Sequence, residues 1–164
     1  MDLIIRPADK HDLDAINSVI EAAILTWDLP ERVIRLTLPT YKYSEMDLQH
    51  MSIVVACQKE TIIGVAAWEQ ADPVDVPKNT RALILHGIYV EPMNQRQGIG
   101  AALFQAAEQA TKQQKLDGML VKAQKGSEPF YESQGMHKLD VVDAKREFEN
   151  RYWKWIEKID NLLA

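Results

Sequence analysis

A single cysteine, Cys57, stands among the 164 residues, so the chain closes no internal disulfide. A lone thiol fits a reducing cytosol, and a cytoplasmic location is expected. Long apolar runs are missing: none approaches the roughly 20 residues that span a bilayer, so no membrane partner is expected. The opening residues, Met1-Asp2-Leu3-Ile4-Ile5-Arg6-Pro7, do not put an apolar region after a basic one, and no secretory leader is expected. Basic clusters are missing as well. With 19 Lys and Arg against 24 Asp and Glu the net charge is −5, which argues against nucleic acid as a partner and mildly favours a cationic substrate. His11, His50 and Cys57 have no metal-ligand spacing, so no metal is expected.

What is present reads as one domain over residues 1–164, with 46% apolar and 26% charged residues, the proportions of an ordinary globular protein. Leu3 to Arg6 is a first strand, interrupted by Pro7. Asp9 or Asp12 can cap a helix carrying Leu13, Ile16, Ile20, Ala23 and Ile24 at helical spacing. A second short helix is expected from Glu31 to Leu38, between Pro30 and Pro39. Ser52–Gln58 and Thr61–Trp68 form a hairpin about Lys59-Glu60, although that pair is not favoured turn chemistry. Ala71–Thr80, with Pro73 and Pro77, is a loop.

The stretch around which the rest is organised runs from Arg81 to Phe104. Ala82–Val90 is a β-prone strand. Glu91–Gln97, with Pro92 and Asn94, is a loop. From Gly98 the pattern turns helical, through Leu103, Phe104, Ala107, Ala110 and Thr111. Strand, glycine turn and helix N-terminus together make an anion site, because the amides of the first helical turn have no intrahelical partner and the helix dipole adds positive charge. Gly98 and Gly100 let a phosphate approach the backbone. A dinucleotide fingerprint is not met, since Leu103 stands at its third glycine, and the Gly-Lys-Ser/Thr of a P-loop is absent. Gly118–Val121 is a further short strand, which the crossover makes parallel to the central one. Gly126–Gln134 is a short helix, with Ser127 as cap and Pro129 early in it. His137–Val142 is another strand. Arg151–Ile156 suits helix or strand, and its aromatic residues read as core or as a homodimer contact.

Gln95-Arg96-Gln97-Gly98-Ile99-Gly100-Ala101 resembles the Gln/Arg-x-x-Gly-x-Gly/Ala signature of the GNAT superfamily of N-acetyltransferases. Phe130-Tyr131-Glu132-Ser133-Gln134-Gly135-Met136 is similar to its Phe-Tyr-x-x-x-Gly-Phe mark, in the right order and spacing. The resemblance covers roughly Leu3 to Trp155, with those two segments its specific part. It implies an α+β fold: a mixed, mostly antiparallel sheet of six to seven strands flanked by about four helices, with a last strand ending near Trp155 and a short helical tail. It implies acetyl-CoA as cosubstrate, its pyrophosphate on Gln95, Arg96, Gln97, Gly98, Ile99, Gly100 and Ala101 and its pantetheine arm on the backbone of Ile88, Tyr89 and Val90. Gln124 stands where Asn commonly contacts the cofactor, and Ser127 where Ala is common. The variable segment from Trp27 to His50 is implied to line the acceptor site.

The implied reaction is direct attack of a primary amine, on a small molecule or peptide, upon the thioester in a ternary complex. An alkyl amine with pKa about 10.4 is neutral in only about one molecule in a few thousand at pH 7, so deprotonation costs roughly 4–5 kcal/mol. An imidazole can take that proton, alone or through water. By strand alternation Ile84, His86, Ile88 and Val90 share a face, which makes His86 a lone imidazole in an apolar row. Leu85-His86-x-Ile88-x-Val90 is similar to the Leu-His-x-Leu-x-Val run of serotonin N-acetyltransferases in that family, whose histidine belongs to the proton-removal relay. The alternative for His86 is a buried histidine bonded to a carbonyl. Tyr131 stands where the family commonly has the acid for the departing thiolate; its alternative is a core-packed ring. An amide near Tyr89-Val90 could stabilise the oxyanion, as such donors do in acyl transfer. Glu21, Glu69 and Glu91 are other carboxylates that could reach an acceptor. A covalent route through Cys57 is less favoured. The alternative function is a non-catalytic acyl-CoA-binding regulatory module.

Overall fold

Alternating β-branched and aromatic runs become strands, and the stripes of 3.6 period become helices. The computed structural model describes residues 2–145 and 148–158. Among these, the elements run β1 (Ile4–Pro7), α1 (Leu13–Ile24), α2 (Glu31–Tyr41), α3 (Glu45–His50), β2 (Ser52–Gln58), β3 (Thr61–Gln70), β4 (Ala82–Val90), α4 (Ile99–Gln113), β5 (Gly118–Lys122), α5 (Glu128–Ser133), β6 (His137–Lys138) and β7 (Arg151–Trp155). The seven strands are hydrogen-bonded in the order β1-β2-β3-β4-β5-β7-β6. β4 and β5 are parallel, as the crossover through α4 requires. β1 with β2, β5 with β7 and β6 with β7 are antiparallel. This is the mixed α+β sheet the sequence implies, with five helices rather than about four. The chain divides into two compact units, Met1–Ala67 with Ile88–Phe104, and Trp68–Gly87 with Gln105–Ala164.

In the first unit α1 buries Ile16, Val19, Ile20, Ala23 and Ile24, the stripe its spacing predicts. Burying each aliphatic side chain there contributes about 1.5–3 kcal/mol. The stripe packs on Ile53, Val55 and Cys57 of β2, Val65 and Ala67 of β3, and Tyr89 of β4. The two candidate caps act on the 3-10 turn Lys10–Asp12 that leads into α1: Asp9 caps it in a box with Asp12, while Asp12, at the N-cap position of α1, makes no side-chain bond to that helix. Asp9 Oδ1 accepts from His11 N at 2.8 Å, and Asp12 Oδ2 accepts from Asp9 N at 2.9 Å. Arg6 donates to both oxygens of Asp12, at 2.8 and 2.9 Å. Those bonds hold the Asp12 carboxyl below its ordinary value, although burial works the other way.

Three local expectations change. α2 runs on to Tyr41 and carries Pro39 inside its last turn, forgoing the i→i−4 bond that a proline cannot donate. Glu45–His50, given no element from the sequence, form α3, because Ser44 and Asp47 make a reciprocal capping box. β1 takes in Pro7, which an edge strand tolerates. The hairpin turn is where it was expected. Lys59 and Glu60 both take positive φ, 48° and 67°, so the turn geometry wins over residue preference.

In the second unit Ile84, Leu120 and Trp153 pack with Ala71, Val76 and Ala82. Gly118 has no room for a side chain, since a Cβ there would lie 2.3 Å from the Trp153 ring. Arg151 is buried and donates to the carbonyls of Asp75 (2.7 Å) and Asp140 (3.3 Å). The contact at Asp140 accompanies the early end of β6. That strand covers only His137–Lys138 of the expected His137–Val142, because Leu139 N makes one further bond to Arg151 O and the chain then leaves the sheet. The ambiguous aromatic segment is strand β7, paired Gly118↔Trp155 to Lys122↔Arg151. Residues 156–158 have no regular structure, and the rest of the expected helical tail lies outside the described residues.

Candidate active site

In the first unit the anion-site geometry is built by backbone. After β4, Glu91 N bonds Ile63 O at 2.8 Å, and Pro92–Asn94 forms a 3-10 turn. The Gln95 side chain folds back, its Nε2 donating to Val90 O at 3.2 Å. Arg96 and Gly98 take positive φ, 63° and 83°, which swings the chain into α4. The first helical bond is Ala102 N to Gly98 O, 3.0 Å, so the amides just before Ala102 have no carbonyl of the helix to meet. Gln95, Arg96, Gln97 and Gly98 are exposed, Gly100 and Ala101 half-buried and Ile99 buried. Nothing lies within 4 Å of where a Gly98 Cβ would stand. Gly64 is a different case. A Cβ there would meet Leu103, Ile99 and Tyr89 O at 3.0–3.3 Å, so the start of α4 is set close against β3. Ile88 and Val90 are half-buried, whereas the Tyr89 ring is in the core. Gln95, Arg96, Gln97, Gly98, Ile99, Gly100 and Ala101 are thus brought onto one turn beside the end of β4.

In the second unit the β4–β5 ladder runs from Ala82↔Gly118 to Leu85↔Val121 and ends there, although β4 continues to Val90. His86 is the next residue. It is not buried in an apolar row: its side chain is 37% exposed, and its Nε2 lies 2.8 Å from Oε2 of Glu69 on β3. The carbonyl-bonded core histidine is therefore not what the fold builds. From the sequence alone Glu69 is one of three candidate carboxylates. The loop between β3 and β4 hides the register that brings the two together, so only alternation along each strand could have hinted at it.

Tyr131 sits on α5 with its ring buried, edge-on to Phe130 at 5.2 Å. Burial pushes its phenol above the ordinary value, so it stays protonated through the neutral range. The glycine four residues on has a physical reason. Gly135 takes φ +91°, Gly135 N bonds Glu132 O at 3.0 Å and Met136 N bonds Tyr131 O at 3.1 Å. This is a Schellman cap, and it ties the Tyr131 backbone to the helix end. Ser127 does not cap α5 through its side chain; its hydroxyl donates to Gln124 O at 2.6 Å. Gln124 is exposed. Among the described residues no three His, Cys, Asp or Glu side chains gather as a metal site, and no helix is long and apolar enough to cross a membrane.

The acetyltransferase (GNAT) domain profile matches residues 37–151. The chain belongs to the GNAT acetyltransferase family. Solved structures share the fold. PaiA N-acetyltransferase from Thermoplasma acidophilum, in complex with coenzyme A, is 18% identical, with 94% of this chain and 99% of that one covered and a TM-score of 0.78. An N-acetyltransferase from Staphylococcus aureus Mu50 is 17% identical over 96% of this chain and 100% of its own, TM-score 0.64. The ribosomal-protein-S18-alanine N-acetyltransferase from Escherichia coli is 16% identical over 99% of each chain, TM-score 0.64. No curated protein matches the sequence.

Proposed function

We propose that the protein, acting as one N-acetyltransferase domain over residues 1–164, transfers the acetyl group of acetyl-CoA to a primary amine by direct attack in a ternary complex. The acceptor is a small-molecule or peptide amine. The observation that carries this reading is a pair of complementary proton groups, an exposed imidazole at His86 and a buried, protonated phenol at Tyr131. His86 accepts a proton from the ammonium form of the acceptor, directly or through water, and leaves a nucleophilic amine. Its exposure lets the proton pass on to solvent. Tyr131, protonated in the neutral range, donates to the thiolate as the C–S bond breaks.

The cosubstrate assignment rests on the turn after β4. The helix-start amides and exposed Gln95-Arg96-Gln97-Gly98 suit a pyrophosphate, and the open space at Gly98 leaves room for it. The end of the β4–β5 ladder at Leu85 supports a pantetheine arm on the backbone of Ile88, Tyr89 and Val90. The exposure of Gln124 is compatible with a cofactor contact. The coenzyme A bound to the Thermoplasma acidophilum protein supports the same assignment. Tyr152 and Trp153 are core while Trp155 is 57% exposed, which supports reading only the end of the aromatic segment as a homodimer contact.

The test is thiol release from acetyl-CoA across polyamines, aminoglycosides, amino acids, arylalkylamines and peptide N-termini. Turnover on one class is expected, with kcat reduced about 10²-fold or more in His86→Ala and in Tyr131→Phe. Acetyl-CoA binding without release on any acceptor favours the binding-module alternative. Absence of binding sinks the cosubstrate assignment.

A further inference from the structure

From the His86–Glu69 contact we infer that Glu69 is a positioning residue: it holds His86 in the tautomer whose proton is on Nε2, so that Nδ1 is the basic atom. The inference deepens the proposed role of His86 and rests on it for its catalytic part.

The argument begins with donors and acceptors. An ionised carboxylate only accepts hydrogen bonds, and a neutral imidazole has one donor and one acceptor nitrogen. Glu69 Oε2 lies 2.8 Å from His86 Nε2, a distance typical of a charge-assisted bond. The nitrogen facing the carboxylate therefore carries the proton, and the lone pair is left on Nδ1. A carboxylate on one ring nitrogen also fixes the plane of the ring, and it stabilises the imidazolium once Nδ1 has taken a proton.

The surroundings leave Glu69 as the group that does this. On the β5 side the residue after the last ladder pair is Lys122, and its ammonium is held by Asp75 at 3.1 Å. No described element contributes a further ion pair to His86 or Glu69. Both side chains remain partly exposed, 37% and 44%, so a proton on Nδ1 can leave to water.

The proton count closes. The acceptor's ammonium gives one proton to Nδ1, and its lone pair attacks the thioester carbon. The C–S bond breaks as the new C–N bond is completed. The departing sulfur takes a proton from Tyr131, which is restored from the amide-forming nitrogen through solvent, and the imidazolium returns its proton to water. Glu69 neither gives nor takes a proton in this sequence.

Two readouts test this on the full chain. Long-range proton–nitrogen correlation spectra of the His86 ring, at a pH where the ring is neutral, report the tautomer without any turnover. The wild type is expected to show Nε2–H almost alone, and Glu69→Ala a mixture of both forms. Equal tautomer populations in the two proteins would overturn the inference. Kinetics supply the second readout, a double-mutant cycle. Glu69→Ala in the wild-type background is expected to lower kcat about tenfold, part of the 10²–10⁴ that a general base supplies, with the KM for acetyl-CoA changed less than about twofold. In the His86→Gln background the same change is expected to cost almost nothing, because a residue acting through another is non-additive with it. An equal loss in both backgrounds would make Glu69 a base in its own right and overturn the positioning role. If the wild type turns over no acceptor, the base reading of His86 fails, and the spectra alone decide whether Glu69 sets the tautomer.

Discussion

At the scale of single residues, the same side-chain types do different work according to what surrounds them. His86 and Glu69 are half-exposed and meet each other at 2.8 Å, an arrangement suited to moving protons. Asp12 and Arg6 also meet at 2.8 Å, but Asp12 is largely buried and serves the entry to α1. Its lowered carboxyl pKa has a stability consequence with a definite sign. The unfolded chain binds the proton more readily, so the ion pair contributes fully above the ordinary Asp value near 3.9 and is lost as pH falls through the lower folded value. Asp12→Asn is expected to lower stability by about 1–2 kcal/mol at pH 7. Urea titrations should show that difference shrinking as pH falls below the ordinary Asp range. A difference that stays unchanged down to the lowest pH at which the chain folds would mean that the carboxylate charge is not its source.

Elements carry the next layer of the argument. α5 is only six residues long, too short to be helical by itself, and it holds Tyr131 because Gly135 closes it with a Schellman cap and Met136 is buried beyond it. The β2–β3 hairpin is less well served by its sequence. Lys59 and Glu60 are both left-handed, a conformation that costs a non-glycine residue roughly 1–2 kcal/mol. Replacing the pair by Asn-Gly is expected to stabilise the protein by about 0.5–1 kcal/mol, since that dipeptide suits the primed turn. The melting temperature should rise by roughly 1–4 °C with thiol-release rates unchanged. A fall in melting temperature would show that the lysine or glutamate side chain makes a stabilising interaction in the turn.

For the whole molecule the relevant equilibrium is between folding and cosubstrate binding. A ligand that binds only the folded chain stabilises it by about 2.7 kcal/mol at a concentration 100 times its Kd. For a chain of this length that corresponds to a rise of roughly 5–10 °C in melting temperature. Coenzyme A is expected to produce such a shift, and adenosine alone a much smaller one, because the turn after β4 suits the pyrophosphate. Equal shifts with adenosine and coenzyme A would place the binding energy elsewhere. The family profile over residues 37–151 defines the class of reaction, while solved relatives at 16–18% identity share the fold alone. The acceptor therefore has to be found by assay.

Much of this was legible in the sequence because it is local. The period of α1, the bounds of β2 and β4, the positive-φ turn at Gly98 and the glycine that ends α5 each depend on residues a few positions apart. The same holds for the two motifs by which the family can be recognised. α3 was legible in principle from Ser44 and Asp47 and was missed because a six-residue helix has little periodicity. The end of β6 was not legible, since it is set by pairing with Arg151, distant in the chain, whose backbone carbonyl takes the last sheet bond from Leu139 N. Nor was the surrounding of His86. Alternation along β4 predicted an apolar row, but what faces a strand residue is set by the register of the strands beside it, and the loop between β3 and β4 does not specify that register. Chain-local physics determined most of the elements and the anion-site turn, and the family motif pointed to Tyr131 as the candidate acid. Only the tertiary structure decided that His86 is exposed and paired with Glu69, because that contact joins residues on two strands whose alignment is fixed by the packing of the sheet.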